Sequence, residues 1–424
     1  MRRTRSALPV ASALAFLLFA CVDSTGPVNP GNQANGRITI VNDPATLAAQ
    51  VTYSADTVPI DATGVGYPAP PAHALSASRA APAGGGSFSL TLQAQVASPT
   101  ISGQVLQATA VSIVGQRAVV SYNMRGNPYM GGVDVFDLSN NNTPILTSRA
   151  LFQNTDVSSV FASGTNVYLA EATGDTGFQA PAVAELLQLV GNNLVLTGNR
   201  RKGLTSFAAT SATASGTRAY ATTGNTGGLY VLDPVTLTVL NSFNLPDARW
   251  VAVSGGKVVV VQGMPGKIAV YNEATLAPAG TFAFKGADIA QSKSTVELAG
   301  GKAFIAAGDS GVQVLSVTTG KVVGSVPRPN PASLGLGDSV VVTNSASVDS
   351  DLLFISNGEA GVYVAQGSQA FSATGSETQQ TITMLGKLRF GNLQSVNHVA
   401  YSAQDQYLIV AAGLGGLKMV KVNR

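Results

Sequence analysis

Apolar and polar residues alternate with a period of two in short runs along this chain, and glycine, aspartate or asparagine closes most runs. Phe88-Ser-Leu-Thr-Leu-Gln-Ala-Gln-Val96 is one such run. A period of two sends successive side chains to opposite faces of a strand, so the pattern predicts β-structure rather than helix. From about residue 104 onward the runs come in groups. A first strand ends in a turn containing Gly or Asp, a second and more apolar strand follows, and after a loop comes a third strand led by glycine. The fourth group reads 250–253, 258–261 and 266–271; the fifth reads 296–298, 303–306 and 311–315. The sixth keeps 352–355 and 361–364, and the seventh 398–401, 407–410 and 416–420.

The glycine-led strand is the recurring mark. It appears as Gly132-Val-Asp-Val, Gly228-Leu-Tyr-Val, Gly266-Lys-Ile-Ala-Val, Gly311-Val-Gln-Val, Gly361-Val-Tyr-Val and Gly416-Leu-Lys-Met-Val. In the last four groups the second strand starts eight residues before this glycine, at 258, 303, 353 and 408. Hairpin register depends on loop length, so a fixed spacing marks a repeated structural unit. Three looser units precede these: 110–114, 118–122 and 132–137; 160–162, 167–170 and 182–186; and 212–214, 218–222 and 228–233. Seven strand-and-turn units at this period predict an all-β chain, a seven-bladed β-propeller over 87–424. A blade needs four strands, and the seventh group stops after its third. The alternating run 88–96, just ahead of the first unit, is the expected fourth strand, so an N-terminal strand completes the last blade and closes the ring.

The run Gly132-Val-Asp-Val-Phe-Asp-Leu-Ser followed by Asn142-Thr-Pro144 resembles the LVIVD repeat, as does Gly227-Gly-Leu-Tyr-Val-Leu-Asp-Pro234. Later units share only the glycine and apolar core. The resemblance covers roughly 104–424 and implies a propeller of the bacterial envelope, in a family that is itself largely uncharacterised.

The N-terminus has a different logic. Residues 1–6 carry three arginines, 7–20 are apolar, and the only cysteine of the chain, Cys21, follows. An apolar stretch this short reads as an export signal over 1–20, not as a membrane span. Leu18-Phe-Ala-Cys21 resembles the lipobox of bacterial lipoproteins, which implies that Cys21 is lipidated (the palmitate-type anchor of such proteins) and is the first mature residue. Phe19 is bulkier than that motif usually has. Val22 after the cysteine leans toward the outer membrane of the cell envelope. Residues 21–86 read as a Pro/Gly/Ala-rich tether with possible short strands at 37–41 and 50–53.

Charge and chemistry narrow the function. Charged residues are 11% of the chain and the formal net charge is +3, with no basic tract. Nucleic acid and anionic lipid are therefore poor partners, and the membrane is expected only through the lipid anchor. Two histidines, His73 and His398, are the only ones present. No catalytic or metal-binding motif accompanies them. Gly224–Gly228 and Gly413–Gly416 lie between strands and read as turns rather than phosphate cradles. Glu171, Asp175, Asp309 and Glu359 are single acids on different repeats and read as solvated turn residues rather than a cation site. The expectation is therefore no catalytic residue, no metal and no cofactor.

Strand alternation puts the first-strand starts and the second-to-third loops on one face. Ala110, Ser159, Ser211, Trp250, Thr295, Asn344 and His398 are expected around the channel mouth. Two long loops rise beside them, 123–131 with Arg125 and Tyr129, and 171–181 with Phe178. The candidate binding face is thus Trp250, His398, Arg125, Tyr129 and Phe178. The expected function is a non-enzymatic binding or scaffold module, taking a protein or a surface glycan. The rivals are a propeller hydrolase or lyase using His398 with channel acids, and a subunit of an outer-membrane assembly complex.

Overall fold

The computed structural model describes residues 33–62, 88–140, 143–389 and 395–424. The expected signal segment, Cys21 and His73 lie outside them. Seven antiparallel sheets follow one another along the chain as the blades of a β-propeller, each built from its inner strand outward. The inner strands are Gln107–Val114, Thr155–Ser163, Ser211–Ser215, Ala248–Ser254, Val296–Ala299, Ser345–Asp349 and His398–Ser402. Each packs against the next, and the seventh packs against the first.

The core lies between blades, where Val, Ile, Leu and Phe from adjoining sheets are fully buried. Near the channel the blades are joined by polar links. Ser112 Oγ accepts the Ala162 N–H at 3.0 Å, Ser159 Oγ the Ala212 N–H at 3.0 Å, and Ser345 Oγ the Val399 N–H at 2.8 Å. Small hydroxyl residues recur on the inner strands because a short side chain is what reaches the neighbouring backbone, and a buried N–H needs a partner. In blade 5 the equivalent link is a carboxyl: Glu297 Oε1 accepts the Val348 N–H at 3.0 Å.

Ring closure follows the sequence expectation. Ser89–Val96 pairs antiparallel with Leu417–Asn423, from Leu417 opposite Val96 to Asn423 opposite Ser89, with one register shift between Met419 and Val420. Its alternating burial puts Leu90, Leu92, Ala94 and Val96 in the core. The glycine that leads the third strand is explained by the strand beside it. A Cβ on Gly311 would run into the Val326 carbonyl oxygen, and one on Gly416 into the Val96 carbonyl oxygen; both residues have positive φ, 74° and 73°. Only glycine fits where the fourth strand passes so close.

The stretch 33–62, expected as part of a tether, is built onto the outside of the ring. Ile38–Val41 extends blade 1 beyond Ile145–Phe152, with Ile38 and Ile40 fully buried. A short helix, Pro44–Ala48, is capped by Asp43 and leads to Val51–Thr57, which pairs with the closing strand Ser89–Val96. Ile60–Asp61 then extends blade 6 beside Ile382–Leu388. One segment therefore straps blades 1, 7 and 6, across the joint where the ring closes.

Candidate functional site

The face carrying the inner-strand starts holds a cleft of ≈ 350 Å³ whose lining includes Phe207, Arg249, Trp250 and Lys293, with Asn123, Thr210 and Asn225 as polar neighbours. Trp250 also lines the ≈ 410 Å³ channel cavity formed by the inner strands of all seven blades. The Trp250 ring stacks on His398 from blade 7, with centroids 5.6 Å apart and planes at 28°. Together these rings bridge the channel between blades 4 and 7. Trp250 is half-buried; His398 is 8% exposed and its Nδ1 has no hydrogen-bond partner. Burial, with the Lys293 charge nearby, pushes His398 down to about 3, so it is neutral at ordinary pH.

A buried arginine fixes the wall of the cleft. Arg249 forms a two-pronged pair with Asp247, Nε to Oδ1 at 3.0 Å and Nη2 to Oδ2 at 2.7 Å. Its Nη1 lies within hydrogen-bond reach of the carbonyls of Ala287, Ile289 and Ser292 and of Ser294 Oγ. The strandless connection that carries Lys293 is thereby held in place. Lys293 reaches across the channel mouth and donates from Nζ to the Thr109 carbonyl of blade 1 at 2.5 Å. Burial draws it down from 10.5 to about 7. Deeper in the channel, burial pushes Glu297 up from 4.5 to about 7.

The residues expected to share the binding face separate into three places. Trp250 and His398 meet in the channel. Arg125 is exposed and Tyr129 half-buried on the first long loop, which Asp156 ties down by accepting the N–H groups of Met124 at 3.2 Å and Met130 at 3.0 Å. Burial raises Asp156 to about 6. Phe178 lies under the Arg201 guanidinium, 4.6 Å from its ring centroid, toward the outer strand of blade 2. None of Arg125, Tyr129 or Phe178 lines the cleft.

The reading of Glu171 as a solvated turn residue is overturned. It lies within Asn166–Thr173 and is fully buried, because that strand runs further than its apolar run suggests. Its carboxyl faces Glu185, which pairs with Arg37 at 2.6 Å and Arg201 at 3.3 Å. Burial and the Glu185 charge hold Glu171 well above the usual carboxylate range. Asp175 instead accepts the Gly177 N–H and pairs with Arg201 at 2.7 Å, which holds it low. Asp309 is half-buried and Glu359 is exposed. Among the described residues no three His, Cys, Asp or Glu side chains converge as metal ligands would.

Sequence reasoning missed Phe207, Arg249, Lys293 and Glu297. Phe207 belongs to the connection from blade 2 to blade 3, which opens on the same face as the second-to-third loops. That topology was available; the 71% exposure of its ring was not.

No family model matches the chain, and no curated protein does. Among solved structures, a chain of a mitotic checkpoint complex is similar over 74% of this chain and 90% of its own length, with 12% identity and a TM-score of 0.52. The computationally designed protein Ika8 aligns over 78% of this chain and 92% of its own, with 14% identity and a TM-score of 0.47. At such identity the first of these likenesses speaks for the propeller fold alone.

Proposed function

We propose that this protein is a non-enzymatic binding module of the bacterial envelope, of LVIVD-repeat type, lipid-anchored through Cys21 on the outer-membrane side of sorting, and that it binds a surface saccharide at the channel mouth. The observation that carries the reading is the cleft floored by Trp250 and rimmed by Phe207, Asn123, Thr210 and Asn225. A sugar presents an apolar C–H face and a rim of hydroxyls, and an aromatic floor with short polar neighbours complements both. A cleft of this size suits a sugar ring better than a protein surface, which needs about 800 Å² on each partner.

The state of His398 supports a binding role over hydrolysis. An imidazole pushed down to about 3 and stacked on Trp250 is a poor general base near neutrality. Glu297 is occupied with the Val348 N–H.

The test is a glycan array with the purified protein, followed by titration of Phe207→Ala and of Lys257→Ala, which lies at the opposite end of its blade. Phe207→Ala is expected to weaken binding about tenfold without lowering Tm, and Lys257→Ala to leave it unchanged. Loss only in Lys257→Ala, or capture of a protein and of no glycan, would move the reading to another surface or ligand class.

A further inference from the structure

The cleft contains a cation that no acid of the protein answers. Arg249 is committed to Asp247 and to the 287–294 connection. Lys293, by contrast, has a neutral carbonyl as its hydrogen-bond partner, and among the described residues burial is the one cause acting on its charge. We propose, building on the saccharide reading above, that the cleft selects acidic saccharides: the Lys293 ammonium receives the sugar carboxylate while the ring's C–H face lies on Trp250.

A half-buried ammonium offered only a carbonyl is under-compensated, and an arriving carboxylate restores the balance with a charge-assisted hydrogen bond. Both recognition elements are held before any ligand arrives. Trp250 is backed by the His398 ring at 5.6 Å, and the Lys293 connection is anchored by Arg249. Pre-organised groups lose little freedom on binding, so the interaction is realised as affinity. Asn123 and Asn225 are left for the hydroxyls.

The arrangement implies a pH response. Lys293 is drawn down to about 7, so it is half-protonated near neutrality. A carboxylate binds the protonated form, and binding takes up a proton and weakens as pH rises through 7. Around Lys293 are the Thr109 carbonyl from Gln107–Val114, which accepts from its Nζ, the Asn344 side chain ahead of blade 6, which accepts its backbone N–H, His398 from blade 7, and the Arg249–Asp247 pair of blade 4, which lines the same cleft. His398, at about 3, stays neutral between pH 5 and pH 9. Glu297, at about 7, titrates in the same interval from deeper in the channel, so it needs its own control.

Trp250 is the only tryptophan of the chain, and its fluorescence therefore reports on the cleft and the channel it borders and on no other part of the molecule. The probes are glucuronic acid and its methyl ester, which share a ring and differ in charge. The acid is expected to bind the mature protein on the order of tenfold more tightly than the ester at pH 6. That preference should fade by pH 9, survive in Glu297→Gln and disappear in Lys293→Met, with ester binding retained. Equal binding of acid and ester, or a preference indifferent to pH, would overturn the acid selectivity and leave the saccharide reading standing. If neither probe changes the fluorescence, both fall. The pH profile needs no variant, and retained ester binding shows that Lys293→Met is folded.

Discussion

At the scale of single residues, Lys293 and Glu297 are displaced from their ordinary titration in opposite senses. Lys293 falls from 10.5 to about 7, so the unfolded chain binds its proton more readily and stability is lost as pH falls from 10.5 toward 7. Glu297 rises from 4.5 to about 7, so the folded chain holds its proton more readily and stability is lost as pH rises from 4.5 toward 7. Urea unfolding across pH should show Lys293→Met flattening the alkaline limb and Glu297→Gln the acidic one; unchanged limbs would mean neither group is displaced. In blade 2, burial and the Glu185 charge favour the protonated form of Glu171, so Glu171→Gln should leave Tm within a few degrees. Arg37→Ala, which strips a partner from the fully buried Glu185, should cost roughly 3 kcal/mol by chemical denaturation. Comparable losses in these two variants would refute the raised position of Glu171. None of this was legible in the sequence. Lys293 sits in a connection outside the repeat, and Glu297 is a lone acid on a strand whose partner lies in another blade.

At the scale of elements, the sequence spoke most clearly where backbone contact dictates residue type. At Gly228, Gly311 and Gly416 a fourth-strand carbonyl occupies the place of a Cβ, so the glycine of the repeat shows even where other residues drift. Gly416→Ala should therefore cost about 1–3 kcal/mol, by forcing both a positive φ and a displaced Val96 carbonyl. The closing strand was readable because one of its faces is buried and the other is not. The strands of 33–62 were only faintly visible, since Val51–Thr57 is mostly exposed and its pairing is with a distant edge. Deleting residues 33–62 should lower Tm measurably, because it removes the buried Ile38, Ile40, Leu47 and Val58 and uncovers the apolar residues they pack on, Phe152, Val96 and Leu90 among them, whereas loss of a plain tether would leave it unchanged.

At the scale of the whole molecule, seven blades enclose a channel that Trp250 and His398 bridge, which makes the mouth a bounded cleft and not an open pore. Among the described residues no helix is long and apolar enough to cross a membrane. Attachment through Cys21 predicts that Cys21→Ser moves the protein from the detergent phase to the aqueous phase in a partition assay and abolishes acyl labelling. Persistence in the detergent phase would refute the anchor.

The joint between Ser89–Val96 and Leu417–Asn423 also sets the order in which the ring can be made. The inner strand of every blade lies between its two halves, so on the ribosome the early half emerges long before the late one. Blades 1 to 6 can assemble as they appear, each against the last, but the circle stays open until the seventh is finished. Until then the chain can still be unzipped from one end. Once the two halves pair, that end is gone.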